Sequence, residues 1–106
     1  TLWAAEIDGQ VAAIGALKRL DAARGEIKSM RTHPDFLRRG LAAALLEMII
    51  DHARATGLSV LSLETGSGPA FEPALALYRR RGFANGAAFA DYRLSDFNQC
   101  LHLPLA

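Results

Sequence analysis

The order of patterns along residues 26–63 restricts the fold more than any other feature of the sequence. Residues 26–32 alternate in the manner of a strand, an apolar pattern of helical period follows from Arg39, and residues 58–63 form a short apolar run. A strand, helix and strand in this order join through a right-handed crossover. We therefore predict that the two strands are parallel neighbours.

Alternation in the first of these strands predicts which side chains share a face. One face would carry Ile27, Ser29 and Arg31, and the other Glu26, Lys28, Met30 and Thr32.

Two further strands are predicted before this unit. Residues 2–7 and 11–17 are short β-prone or small-residue runs that flank Asp8-Gly9, and Asp-Gly between such runs is a strong hairpin signal. We predict an antiparallel hairpin. Gly57 is the expected C-terminal cap of the long helix.

The last third of the chain predicts one short helix and two strands. Pro73 suits a first helical turn and Gly82 a helix end. Residues 87–93 and 100–103 are predicted as strands, with a loop at residues 95–99. Within the first of these strands, Asp91, Tyr92 and Arg93 form a polar stretch.

Composition limits the classes of function. The chain has 106 residues, of which 51% are hydrophobic and 22% charged, which fits one soluble domain. The most apolar run, residues 41–50, is interrupted by Glu47 and is too short to cross a bilayer. We expect a cytoplasmic protein with no membrane partner.

Charge and metal-ligating residues narrow the classes further. The net charge is +1, which disfavours a nucleic-acid partner despite the run Arg79, Arg80 and Arg81. The single cysteine, Cys100, excludes an internal disulfide. Neither Cys100 nor the histidines show metal-ligand spacing, so we predict no metal.

The start of the long helix is a candidate anion site. A helix N-terminus presents free backbone N–H groups and the positive end of the helix dipole. Gly40 permits close approach to the backbone, Ala42 and Ala43 are small, and Arg38 and Arg39 add positive charge. The alternative interpretation is an ordinary helix start with two solvated arginines.

Two motifs favour the functional interpretation. Residues 37–42, Leu-Arg-Arg-Gly-Leu-Ala, are followed later in the chain by an alanine, Leu-Tyr and Gly-Phe at the positions Ala74, Leu77, Tyr78, Gly82 and Phe83. In this pattern and order the chain resembles the GNAT N-acetyltransferase superfamily. Its acyl-CoA motif has Gln or Arg where this chain has Leu37, and an Asn is common where this chain has Phe71.

The resemblance implies a fold. The expected class is α/β (α+β), with a mixed, mostly antiparallel sheet whose parallel central pair is splayed and flanked by helices. Residues 1–106 would form a single GNAT-like acetyltransferase domain. One strand and two helices of the family are expected to precede Thr1 in the full protein.

The resemblance also implies acetyl-CoA as co-substrate. Its pantetheine arm would add along Met30, Arg31 and Thr32, and Arg80 or Arg81 would reach the outer phosphate or simply end a helix in solvent. The pyrophosphate would bind backbone N–H groups of the loop Leu37, Arg38, Arg39, Gly40, Leu41, Ala42 and Ala43. Further cofactor contacts are implied for Phe71, Ala74, Tyr78 and Arg81.

Catalytic roles follow from the same resemblance. Tyr78 occupies the position of the family's usual general acid, although it could simply pack at a helix end. Glu26 is the leading general base, as in histone-acetyltransferase-like members, and Glu64 or a water chain is the alternative.

The implied reaction is acetyl transfer to a primary amine of a small molecule, protein or peptide, by direct attack in a ternary complex. The alternative is a non-catalytic acyl-CoA-binding sensor or interaction module, and a homodimer is possible.

Overall fold

The computed structural model describes residues 1–105, which form a six-stranded sheet and two α-helices. The strands are β1 (Leu2–Ile7), β2 (Gln10–Arg19), β3 (Arg24–Thr32), β4 (Val60–Gly66), β5 (Ala84–Gly86) and β6 (Asn98–Pro104), and the helices are α1 (Leu41–Ala55) and α2 (Glu72–Arg81). The order across the sheet is β1-β2-β3-β4-β6-β5. Short 3-10 turns at Pro34–Phe36 and Pro69–Phe71 precede the two helices.

The parallel pair predicted from the strand, helix and strand pattern is confirmed. Strands β3 and β4 are parallel, and every other neighbouring pair of the sheet is antiparallel, including the predicted hairpin of β1 and β2. The β3–β4 pairing spans only three positions and ends at Glu26 and Ser62, although β3 continues to Thr32 and β4 to Gly66. The two central strands therefore diverge.

A β-bulge accompanies this divergence and overturns the predicted alternation. Ser29 has a positive φ of 58°, and β3 carries one extra residue opposite the interval from Ile14 to Ala16 on β2. Such a residue exchanges the two faces of a strand. As a result Ile27 and Met30 both pack against the core, although strict alternation assigned them to opposite faces.

Helix α1 packs its apolar side against the first three strands. It buries five side chains, Leu45, Leu46, Ile49, Ile50 and Ala53. The glycines predicted to end the helices have left-handed backbones, Gly57 after α1 with φ 85° and Gly82 after α2 with φ 111°.

The predicted strand at residues 87–93 is wrong, whereas the one at residues 100–103 is confirmed within β6. The paired segment is instead β5, which leaves the sheet after Gly86. The next carbonyl, that of Ala87, accepts a hydrogen bond of 2.8 Å from His102 Nε2, a side chain and not a strand partner. Ala90 then adopts φ 50°, and the chain turns.

Within residues 1–105, neither helix has both the length and the apolar character needed to cross a membrane.

Candidate active site

A cleft of about 370 Å³ opens where β3 and β4 diverge. Its walls are residues 26–31 of β3 and residues 63–66 of β4, and three aromatic side chains, Phe71, Tyr78 and Tyr92, complete it. Since β4 no longer pairs with β3 beyond Glu26, this edge of β3 is open to an extended ligand.

The loop after β3 ends at an exposed helix start. Arg38 and Gly40 have positive φ values of 64° and 76°, and no side chain caps α1. The first hydrogen bond of the helix runs from Ala44 N to Gly40 O at 3.0 Å, so the N–H groups of residues 41–43 precede it. A Cβ at Gly40 would meet nothing within 4 Å, which leaves space for an anion.

The side chains of this loop leave its backbone as the main group that could bind an anion. Leu37 is 57% exposed, and Arg38 is exposed as well. The Arg39 guanidinium lies 5.3 Å from the centre of the Phe36 ring, a cation–π contact with a buried side chain. Leu37 supplies no polar group, so the backbone and the arginines carry the positive potential here.

Tyr78 lies on α2 and faces the cleft from a buried position. Its ring packs edge-on against Phe83, with centroids 5.8 Å apart. Burial raises the pKa of the Tyr78 phenol, which therefore stays protonated at neutral pH. Its hydroxyl forms no hydrogen bond with the described part of the chain, so the proton is available to a ligand.

Two carboxylates lie in the same cleft. Glu26 is 3% exposed, its Oε2 accepts a hydrogen bond from the Tyr92 hydroxyl, and its Oε1 lies 4.0 Å from Lys28 Nζ. Glu64 Oε2 accepts a hydrogen bond of 3.1 Å from Asn98 Nδ2. Both candidates for the general base thus line the cleft, each with a hydrogen-bond donor from the tail.

Tyr92 also lines the cleft, although the sequence predicts it only as part of the polar stretch Asp91, Tyr92 and Arg93 and gives it no catalytic role. The hydrogen bond to Glu26 and, to a smaller extent, burial raise the pKa of Tyr92 to about 12. Its hydroxyl is therefore a donor throughout the neutral range.

The other residues predicted to contact acetyl-CoA lie on β3, on the opposite wall of the cleft and on the core. Met30 and Arg31 line the cleft, and Thr32 follows them at the end of β3. Phe71, 42% exposed, stands on the opposite wall, while Ala74 packs on the core behind it.

The two arginines considered for the outer phosphate differ in their surroundings. The Arg81 Nε forms an ion pair with Glu47 Oε1 that ties α2 to α1. Arg80 is exposed, one position earlier on the same helix. Within residues 1–105 no group of three or more His, Cys, Asp or Glu side chains is placed to hold a metal ion.

The sheet is mixed and has one diverging parallel pair, and a helix starts shortly after the first strand of that pair. This is the arrangement that the resemblance to the GNAT superfamily implies. The model of the acetyltransferase (GNAT) family matches residues 1–83. The chain therefore belongs to the GNAT acetyltransferase family, and the predicted fold class is confirmed.

Relatives in sequence carry acetyltransferase names. The chain is 47% identical over 105 residues to the uncharacterized N-acetyltransferase YedL of Escherichia coli (strain K12), with 99% of this chain and 66% of YedL covered. It is 50% identical over 92 residues to the uncharacterized N-acetyltransferase YsnE of Bacillus subtilis (strain 168), with 87% of this chain and 61% of YsnE covered. The chain thus spans less than two thirds of the length of these relatives.

Solved structures have the same fold. The ribosomal-protein-S18-alanine N-acetyltransferase from Escherichia coli superposes with a TM-score of 0.82 at 26% identity, over 100% of this chain and 69% of that one. A GNAT family acetyltransferase from Elizabethkingia anophelis with acetyl-CoA bound superposes with a TM-score of 0.82 at 20% identity, over 98% of this chain and 75% of that one.

Proposed function

We propose that this chain, as a single acetyltransferase domain, transfers an acetyl group from acetyl-CoA to a primary amine of a small molecule, protein or peptide. The observation that carries the proposal is the cleft between β3 and β4, which contains a phenol, Tyr78, and a buried carboxylate, Glu26. Membership of the GNAT family and the acetyl-CoA bound to a protein of the same fold support this assignment.

In this proposal the cofactor is held by two backbone elements. The pantetheine arm adds along the open edge of β3 at Met30, Arg31 and Thr32, where β4 no longer supplies partners. The pyrophosphate binds the N–H groups of residues 38–43, where the dipole of α1 favours negative charge. The thioester then lies in the cleft.

The chemistry requires three proton transfers, two from the acceptor nitrogen and one to the CoA thiolate. The acceptor, an ammonium ion in water at neutral pH, loses a proton to Glu26 directly or through one water, with Glu64 as the competing base. The free amine attacks the acetyl carbonyl in a ternary complex, and the C–S bond breaks from the tetrahedral intermediate. Tyr78 donates its proton to the departing CoA thiolate, and the remaining extra proton on the attacking nitrogen returns to the Tyr78 phenolate, so that an N-substituted acetamide and the CoA thiol are formed and Tyr78 is regenerated.

Calorimetry and an acceptor screen test the proposal. The chain is titrated with acetyl-CoA, and CoA release is then measured with spermidine, glucosamine, an alanyl peptide and a lysyl peptide as acceptors. Amine-dependent CoA release supports the proposal, whereas absence of acetyl-CoA binding at millimolar ligand refutes it.

A non-catalytic acyl-CoA-binding module is the second candidate, because the cofactor loop could bind without turnover. Tyr78→Phe distinguishes the two. An enzyme loses rate, while a binding module keeps its affinity for acetyl-CoA and shows no amine-dependent CoA release before or after the change.

A further inference from the structure

The hydroxyl of Tyr92 forms a hydrogen bond with Glu26, the leading candidate for the general base. It donates to Glu26 Oε2, across 66 positions of sequence. The other carboxylate oxygen, Oε1, lies 4.0 Å from Lys28 Nζ, which is at the limit of an ion pair. Oε2 is therefore firmly held, and Oε1 remains the oxygen better placed to accept a proton.

The loop that carries Tyr92 is held in shape by other groups. Asn98 Oδ1 accepts hydrogen bonds from Ser95 N at 2.8 Å and Ser95 Oγ at 3.0 Å, and Asn98 Nδ2 donates to Arg93 O at 3.0 Å. Phe97 O accepts from Ser67 N at 3.0 Å, which ties the loop to the end of β4. None of these bonds uses the Tyr92 hydroxyl.

The ring of Tyr92 is anchored independently of its hydroxyl. It packs against the buried Phe89 with centroids 5.1 Å apart, and Tyr92 N donates to Phe89 O at 3.1 Å. A phenylalanine at this position keeps both contacts. The hydroxyl therefore serves the Glu26 carboxylate more than it serves the loop.

We propose that Tyr92 is a positioning residue for the proposed acetyl transfer: it fixes the Glu26 carboxylate through Oε2 and leaves Oε1 to take the proton of the acceptor ammonium. The inference rests on the proposed function. In the step concerned, the N–H bond of the ammonium breaks, its electron pair stays on nitrogen, and the proton moves to Oε1. The phenol proton of Tyr92 stays in its hydrogen bond.

The protonation of the Tyr92 phenol agrees with this role. A phenol donor stabilises the charged form of a carboxylate. Because the hydrogen bond to Glu26 raises the pKa of Tyr92 to about 12, the phenol remains a donor at neutral and moderately alkaline pH.

Steady-state kinetics of Tyr92→Phe test the proposal, with acetyl-CoA and the most active amine of the acceptor screen. We expect kcat to fall about ten-fold, the value of one hydrogen bond to a charged group. The KM for acetyl-CoA should not change, so the loss should appear in kcat alone. The control is Asp96→Asn, an exposed change in the same loop that should leave both kcat and KM as in the wild type.

A Glu26→Gln background shows whether Tyr92 acts through Glu26. There Tyr92→Phe should lower the rate no further. An unchanged kcat in the single variant, or an equal ten-fold loss in the Glu26→Gln background, would overturn the proposal.

A spectroscopic readout covers the case in which Tyr92→Phe does not fold. The chain has two tyrosines, so Tyr78→Phe leaves one phenol signal in ¹³C-tyrosine NMR. Adding Glu26→Gln should lower the pH at which this signal titrates, and an unchanged titration would contradict the contact. If the wild-type chain binds no acetyl-CoA, the proposed function is wrong. If the wild-type chain is active and Tyr92→Phe has the same kcat, only the positioning role is wrong.

Discussion

The Tyr92 hydroxyl, on the loop before β6, donates a hydrogen bond to the Glu26 carboxylate on β3. This contact connects the tail of the chain to the floor of the cleft between the two diverging strands. It also makes the free energy of unfolding depend on pH.

Stability should fall at high pH because of this contact. The pKa of Tyr92 is raised from 10.0 to about 12 in the folded protein, chiefly by the hydrogen bond to Glu26, so the folded state holds the phenol proton more tightly than the unfolded state. The stabilisation is complete below pH 10 and is lost as pH rises from 10 to about 12. Urea denaturation at several pH values measures it.

Tyr92→Phe is the control for that measurement. Its free energy of unfolding should decline less than that of the wild type between pH 10 and 12, because the phenol is gone. Parallel curves for the two proteins would show that Tyr92 is not coupled to Glu26.

Gly40→Ala should weaken acetyl-CoA binding beyond its effect on stability. Gly40 has φ 76° and open space around a Cβ, so the alanine brings backbone strain of about 1 kcal/mol and a methyl group beside the proposed pyrophosphate site. We expect at least a ten-fold rise in Kd by calorimetry.

Gly57→Ala is the matched control for that variant. Gly57 follows the other end of α1, with φ 85° and equally open space, so it should lose similar stability. Its Kd for acetyl-CoA should equal that of the wild type. Equal Kd values for both alanine variants would remove the N-terminus of α1 from the cofactor site.

Tyr78→Phe should lower kcat by about 100-fold or more with little change in stability. A general acid contributes about that much, and the hydroxyl has no hydrogen-bond partner among the described residues that the change would leave unsatisfied. Because burial raises the pKa of Tyr78, the wild type should keep its acid, and its rate, up to about pH 10. A variant with wild-type kcat would show that another donor protonates the thiolate.

A ligand that lacks the outer phosphate of CoA can show whether Arg80 or Arg81 binds this phosphate. The affinities of acetyl-CoA and acetyl-dephospho-CoA are compared in Arg80→Gln and Arg81→Gln. The arginine that binds this phosphate should, when changed, abolish the preference for acetyl-CoA, whereas loss of the Arg81–Glu47 ion pair alone weakens both ligands equally. An undiminished preference in both variants would show that neither arginine contacts the phosphate.

Local patterns were sufficient to predict the central part of the fold. The spacing of apolar residues changes from that of a strand to that of a helix at Arg39, and a glycine follows each helix. These signals act over a few residues, so they predict α1, α2 and the parallel pair. The face assignment along β3 failed because the bulge at Ser29 depends on pairing with β2.

The candidate site likewise contains residues that the sequence predicts and residues that it does not. Gly40 and Tyr78 stand in motifs that can be recognised in the chain itself, so their neighbourhood was predictable. The tail was not, because His102 holds the Ala87 carbonyl and Tyr92 meets Glu26 only after the sheet has formed. Contacts of this kind leave no periodic signal in the sequence.

Chemical-shift mapping locates the acetyl-CoA site of this chain residue by residue. The amides of the ¹⁵N-labelled chain are followed as acetyl-CoA is added. We predict that the largest shifts occur at residues 38–43, followed by residues 30–32 and Tyr78. No shift at millimolar acetyl-CoA, or shifts confined to other parts of the chain, would contradict this prediction.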